Sequence, residues 1–276
     1  MKKAIKLAGI QLRCVPEAGK NLQKALSLIE VASGEGAQVV ALPQLFSNLW
    51  FPAAIDKANL TIAQTEDGEI ITALRESAAR LGTVIVAPIY EEDNGERFNT
   101  AFVIDADGSI SGKYRKMHVP ALPLWEEKTY FKPGNLGFGV FKTRYANIGV
   151  QICWDIFFPE GPRILALRGA ELIICPTASA FLHSATRWER AVAASAQSNG
   201  LFIFRVNRIG AEERQEFYGK SFCSGPDGEF VAQPAGSQDG IVIVDIDLGA
   251  IADARCDWTF LRDRRPEEYT EITEPK

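Results

Sequence analysis

The chain has 276 residues, 46% of them hydrophobic, with 30 basic and 35 acidic side chains and a formal net charge of −5. That length supports a sizeable core, and the mildly acidic balance supplies no field for gathering phosphate backbones or anionic lipid, so neither nucleic acid nor a membrane surface is an expected partner. Met1-Lys2-Lys3-Ala4-Ile5 leads into an apolar stretch broken at Lys6, too short for a signal-peptide core, and charges interrupt every later apolar run before it reaches the length of a membrane span; a cytoplasmic protein is the expectation.

In chain order, Ala4 to Leu12 reads as a strand. Asn21 to Ala32 follows as a helix with Leu22, Ala25, Leu26, Ile29 and Ala32 on one face, and Gln38 to Leu42 is a second strand ending at Pro43. The alternation repeats with a helix over Ile70 to Leu81, a strand over Thr83 to Tyr90 and a hairpin around Asp105-Ala106-Asp107-Gly108. Tyr145 to Cys153 reads as a strand that runs out at Trp154-Asp155. After it come a helix near Pro162 to Arg168, a strand Glu171 to Cys175, a helix Ala185 to Ser198 and a strand Leu201 to Val206. Lys220 to Asp247 reads as antiparallel strands joined by Gly-Pro-Asp-Gly and Gly-Ser-Gln-Asp-Gly turns. Strands alternating with helices give an α/β layered fold. One domain over residues 1–276 is expected, with the charged tail, about 248–276, packing on the surface or on a second subunit.

The five cysteines, Cys14, Cys153, Cys175, Cys223 and Cys256, are odd in number and contain no CxxC pair, so neither a disulfide framework nor a thiolate zinc site is expected. Three short segments sit at ends of predicted strands, where open α/β sheets tend to place reactive groups: Ala41 to Ser47, Tyr114 to His118, and Gly149 to Asp155. Each has a plain structural reading. Cys153 could be the last buried residue of its strand, and Arg115, Lys116 and His118 could form a solvated basic face. The chemical reading is that a thiol at a strand end attacks a carbonyl or nitrile carbon while a nearby lysine lowers its pKa and holds an oxyanion. With only His118 and His183 in the chain, and no GxSxG elbow, a histidine-based hydrolase has little to draw on. An enzyme of Cys, Lys and a carboxylate needs no histidine base, and His118 then reads as a structural hydrogen-bonding residue.

In this order and spacing the three segments resemble the Glu, Lys and Cys motifs of the nitrilase superfamily of carbon–nitrogen hydrolases. The similarity runs from Ala4–Gln11 to Arg262-Asp263-Arg264-Arg265-Pro266, through Asn99-Thr100-Ala101, Pro159-Glu160 and Asn207-Arg208-Ile209-Gly210. The resemblance implies a four-layer αββα sandwich and a homodimer or higher homo-oligomer packed through helices, with the tail around Arg262 to Glu268 suited to crossing that interface. It implies a small-molecule amide or ureido substrate and no metal or organic cofactor. Position by position, it makes Cys153 the nucleophile and Lys116 the oxyanion stabiliser, with the Trp154 backbone N–H as a second donor. A further family glutamate falls on Glu127, by its spacing from Tyr130-Phe131, with Glu126 as the alternative; either is by itself a loop carboxylate. Cys153-Trp154-Asp155 and the tail Phe260 to Tyr269 look most like enzymes acting on N-carbamoyl amines, and simple amide or nitrile hydrolysis is the alternative on the same core. Glu126, Asp155 and Arg187 are candidate substrate contacts. Arg187 would bind a substrate carboxylate or pair with a neighbouring glutamate on a helix surface.

The pattern departs at one position. Where the family has a catalytic glutamate after Leu-Pro, this chain has Gln44. A carboxamide keeps the shape and can accept a hydrogen bond, but it cannot take a thiol proton or return one to departing ammonia at neutral pH. The expectation is a folded chain that binds substrate and turns it over poorly, either through an exchange made to trap a ligand or as a natural non-catalytic relative.

Overall fold

The computed structural model describes residues 4–274; residues 1–3, part of the N-terminal reading, and residues 275–276 of the tail lie outside it. The chain opens with β1 (Ala4–Gln11), α1 (Ala18–Gly34), β2 (Val39–Ala41), α2 (Glu69–Leu81), β3 (Val84–Asp93), β4 (Glu96–Ile104) and β5 (Ile110–Arg115). It continues through β6 (Val140–Lys142), β7 (Asn147–Val150), α3 (Glu160–Leu167), β8 (Leu172–Thr177), α4 (Ala185–Asn199) and β9 (Phe202–Asn207). It closes with β10 (Ile209–Glu212), β11 (Gln215–Tyr218), β12 (Phe222–Ser224), β13 (Phe230–Ala232), β14 (Gly240–Asp247) and α5 (Ala250–Asp257).

Two six-stranded sheets result, ordered β14-β1-β2-β3-β4-β5 and β13-β12-β9-β8-β7-β6. The strands between helices pair in parallel, Leu7 with Val39, Val39 with Val84, Ile148 with Leu172, and Leu172 with Phe202, while hairpins add antiparallel edges. Side chains of a strand alternate between its two faces, and both faces here are buried. In the first sheet Leu7, Val39, Ala41, Val84 and Val86 join a core with Ile148, Val150, Phe204 and Val206 of the second sheet. Their neighbours Ala8, Ile10, Val40, Ile85 and Ala87 join another core with Leu22, Ala25 and Ile29 of α1 and Ile71, Leu74 and Ala78 of α2. Leu165 of α3 and Val192 and Ala196 of α4 pack on the second sheet. The layers are therefore helix, sheet, sheet, helix, the αββα sandwich expected. The sheets approach closely enough at Gly9 that an added Cβ would lie 2.6 Å from Phe204 Cζ.

Several local expectations change. The strand expected over Tyr145 to Cys153 is narrower, Asn147–Val150, where its ladder with β8 ends at Val150 opposite Ile174; the chain then leaves extended structure at Cys153, which has a left-handed backbone with φ 52°. β14 does not close a meander with β13 but crosses to the first sheet and pairs antiparallel with β1 over its whole length, Ala4 opposite Asp247 through Gln11 opposite Gly240. The β10–β11 hairpin was not anticipated. The tail carries α5, from which Arg255 Nε donates to Gly200 O at 3.0 Å and so ties the helix to the end of α4. Arg265 forms its ion pairs inside the tail, with Glu267 and Glu268. Among the described residues no helix is long and apolar enough to cross a membrane.

Candidate active site

The carboxyl ends of the parallel strands β2 and β7 carry two of the three motif segments, and β5 ends at Arg115 immediately before Lys116. After β2 the chain turns at Leu45, whose φ is 51°. The buried Arg208 clamps this turn: Nη1 donates to the carbonyls of Gln44 at 3.4 Å and Leu45 at 3.2 Å, and Nη2 donates to Asn48 O at 2.9 Å. Glu212 neutralises that guanidinium at 2.6 Å and accepts the Trp50 N–H at the same distance. The Gln44 side chain is fully buried, and neither its Nε2 nor its Oε1 has a hydrogen-bond partner among the described residues.

Lys116 is equally buried, which overturns the solvated basic face as the meaning of its cluster. Its backbone is pinned on both sides, N–H to Asn99 O and O from the Gly134 N–H, each at 2.8 Å. Gly134 is required there, since an added Cβ would lie 2.1 Å from Arg115 O. Arg115 turns away, 3% exposed, to pair with Glu91 at 2.8 Å and Asp93 at 2.7 Å. The Lys116 ammonium donates to both carboxylate oxygens of Glu127, at 2.8 and 2.6 Å, and Glu127 is itself fully buried. Burial alone would lower the Lys116 pKa, but the Glu127 charge outweighs it and holds the ammonium above its ordinary value. Burial pushes the Glu127 carboxyl up, with the lysine charge opposing.

Cys153 stands where β7 gives way to a short 3₁₀ turn, Cys153–Phe157. A left-handed conformation at a non-glycine residue costs of the order of 1–3 kcal/mol and persists only where surroundings enforce it. Asp155 supplies the enforcement. Its Oδ2 accepts the Ile152 N–H at 3.0 Å and the Tyr114 hydroxyl at 2.8 Å. Its Oδ1 accepts the His118 N–H at 2.9 Å and lies 2.8 Å from His118 Nδ1. The His118 ring stacks on Phe158 with centroids 3.6 Å apart. Asp155 thus ties the Cys153 turn to the segment following Lys116. Expected at the substrate, it has both oxygens occupied and does not reach the cavity wall. His118 has the structural role read for it.

Cys153, 5% exposed, lines a cavity of ≈ 290 Å³ together with Glu127, Trp154 and Arg187. Aromatic walls come from Trp125, Phe157, Phe181 and Trp188, with Ala178 and Ser179 beyond the end of β8. Burial pushes the Cys153 thiol pKa up, opposed by the Lys116 cation and a backbone hydrogen bond at Ala178, while Glu127 adds to the rise. Glu126 is half-buried, uses its N–H on Pro52 O at 2.8 Å and does not line the cavity. Packing therefore separates the two glutamates: Glu127 meets Lys116 and Glu126 does not. Arg187 is exposed at the cavity and forms no ion pair among the described residues, so the helix-surface pairing weighed for it is not present.

The aromatic walls and Arg205 went unnoticed in the sequence. Ala178 and Ser179 follow β8 as Gln151 to Cys153 follow β7, so the strand-end rule that singled out Cys153 would have found them. Arg205 of β9 is 1% exposed, donates to Tyr218 Oη at 3.1 Å, stacks 4.7 Å from the Trp188 ring, and pulls the Cys153 thiol pKa down. Among the described residues no group of His, Cys, Asp and Glu could hold a metal ion.

The carbon-nitrogen hydrolase family model matches residues 6–256. The chain is 36% identical over 280 residues to N-carbamoylputrescine amidase of Solanum lycopersicum, covering 96% of this chain and 93% of that protein. It is 36% identical over 279 residues to citrullinase of Francisella tularensis, covering 97% and 98%. The crystal structure of a carbon-nitrogen hydrolase from Helicobacter pylori G27 has the same fold, with TM-score 0.94, 32% identity, and 98% and 99% of the two chains covered.

Proposed function

Because the chain belongs to the carbon–nitrogen hydrolase family of the nitrilase superfamily, we propose that it acts on the ureido group of a small N-carbamoyl compound through Cys153, with turnover severely impaired by Gln44. The observation that carries this reading is the shared cavity of Cys153 and Glu127, with Lys116 bound to both Glu127 oxygens behind it. The likeness to an N-carbamoylputrescine amidase and a citrullinase, both named for ureido substrates, supports the choice of bond.

With a carboxylate at position 44, Cys153 Sγ attacks the ureido carbonyl carbon as its proton passes to that carboxylate. The Lys116 ammonium and the Trp154 N–H, in the first turn where amides lack intrahelical acceptors, hold the oxyanion. Collapse breaks the C–NH₂ bond, the carboxyl returns its proton to the departing ammonia, and a thiocarbamate, the ureido counterpart of a thioester, remains on sulfur. Water attacks that carbon with the carboxylate as base, regenerating the thiol and freeing a carbamic acid that decomposes to carbon dioxide and the amine. The buried thiol, its pKa raised, needs this base. Gln44 supplies none, and losing a positioned acid–base group costs on the order of 10²–10⁴ in rate.

The test is ammonia release by the purified chain and by its Gln44→Glu variant, on ureido compounds, simple amides and nitriles. Ureide hydrolysis faster in the variant by about 10²–10⁴ is expected. Equal rates would overturn the assignment of position 44 as the base. Release from simple amides or nitriles alone moves the substrate to that class, and no release from any class favours a non-catalytic binding protein on the same fold. The proposal includes a single domain in a homodimer with the tail at the interface; a stable monomer by solution mass removes the dimer.

A further inference from the structure

We propose that Arg187 selects ureido substrates whose far end carries a carboxylate, so that the preferred ligand is an N-carbamoyl amino acid and not an N-carbamoyl diamine. This rests on the ureido reading above and assigns the charge of the tail.

The argument is a charge inventory of the cavity. The ionisable lining residues besides the Cys153 thiol are one carboxylate, Glu127, one guanidinium, Arg187, and one imidazole, His183. Glu127 is consumed: both oxygens accept from Lys116, and the pair is sealed from solvent. No other aspartate or glutamate lines the cavity, so an ammonium tail would find no carboxylate to replace its lost hydration. Arg187 is in the opposite position. It stands in the first turn of α4, exposed and without an ion pair among the described residues, on the same cavity as the Cys153 thiol. That turn carries no acidic side chain, so the helix dipole adds to the positive potential instead of cancelling it. A guanidinium presents paired N–H donors that match a carboxylate in bidentate fashion. Aromatic walls such as Trp154, Phe157 and Trp188 flank the approach from the thiol to Arg187 and offer no competing anion. The same rings could attract an ammonium through their faces, but that attraction works against the repulsion from Arg187, whereas a carboxylate meets an unopposed partner.

The experiment uses the full chain as it stands and titration calorimetry with three ligands of matched length: 4-ureidobutanoate, butylurea and (4-aminobutyl)urea. Expected is an order of acid, neutral, amine, with the acid at least tenfold tighter than butylurea and its advantage shrinking as salt is raised. In Arg187→Gln the acid's advantage should fall below threefold, and in Arg187→Glu the amine should bind more tightly than the acid. Arg190→Gln, on an exposed residue of the same helix that does not line the cavity, should keep the original order. Binding of the amine as tightly as the acid in the unaltered chain, or an acid advantage that survives Arg187→Gln, overturns the inference and leaves the ureido reading intact. If none of the three binds either the unaltered chain or Gln44→Glu, the ureido reading falls and takes the inference with it.

Discussion

Replacing Glu127 by glutamine removes one charge of an ion pair in which both side chains are 0% exposed and the contacts are 2.6 and 2.8 Å. The isosteric carboxamide leaves Lys116 buried beside a neutral group. Breaking a buried pair from one side costs about 3–5 kcal/mol, because the surviving charge is uncompensated. The lysine can escape by losing its proton, which sets a ceiling: neutralising a lysine of ordinary pKa at pH 7 costs about 4.6 kcal/mol, at 1.36 kcal/mol per unit. The expected loss is therefore about 3–4.6 kcal/mol, or roughly 6–18 °C in melting temperature for a chain of this size. The pH dependence has a definite sign. In the variant, once folded Lys116 gives up its proton while the unfolded chain still holds it, stability rises with pH up to the unfolded pKa of about 10.4. In the unaltered chain Lys116 is held above its ordinary value, so its contribution is complete below that pH and is lost only as pH rises through the still higher folded value. Between pH 7 and pH 9 the variant should thus recover about 1–2.7 kcal/mol relative to the unaltered chain, the larger figure applying at the ceiling of about 4.6 kcal/mol. Urea denaturation followed by the fluorescence of the five tryptophans measures both quantities. A double variant, Lys116→Met with Glu127→Leu, should be less destabilised than Glu127→Gln, because it buries no charge. A loss below about 1 kcal/mol at pH 7, or one that does not shrink at pH 9, refutes the view that this pair is a desolvated ion pair.

Two further changes test how the site is held. Asp155→Asn leaves at least one of the donors around that carboxylate unsatisfied and should cost about 1–3 kcal/mol; in the Gln44→Glu background ammonia release should also fall at least about tenfold, since the left-handed Cys153 turn loses its tether. Unchanged stability and rate would show that the turn holds itself. Gly134→Ala forces a Cβ against the Arg115 carbonyl and should destabilise by about 1–3 kcal/mol, read as a lower urea midpoint; a neutral effect would mean that the strand end before Lys116 yields freely.

The αββα layering was legible because both faces of the inner strands are buried and the helices are one-sided. Runs such as Val39-Val40-Ala41 and the Leu22, Ala25, Ile29 face of α1 carry those signals locally. The Cys153 and Lys116 segments, and the anomaly at Gln44, were likewise visible as short motifs at strand ends. What local sequence could not carry was direction and partnership. Glu126 and Glu127 are adjacent loop carboxylates of identical chemistry, and only the 3₁₀ turn Glu127–Thr129 and the reach of Lys116 bury one and leave the other half-exposed. Asp155 reads as a substrate contact from its place two residues after Cys153, whereas Tyr114 and His118 arrive from β5 and its following loop to occupy it. β14 carries turn signals on its near side, yet its ladder is with β1 at the opposite end of the chain. Periodicity and a few consecutive residues were enough to show the layers, the strand-end segments and the glutamine at position 44. Which acid joins the lysine, which acid holds the turn, and the placing of Arg187 at the cavity were decided by tertiary structure, because burial and pairing depend on side chains that distant strands bring together.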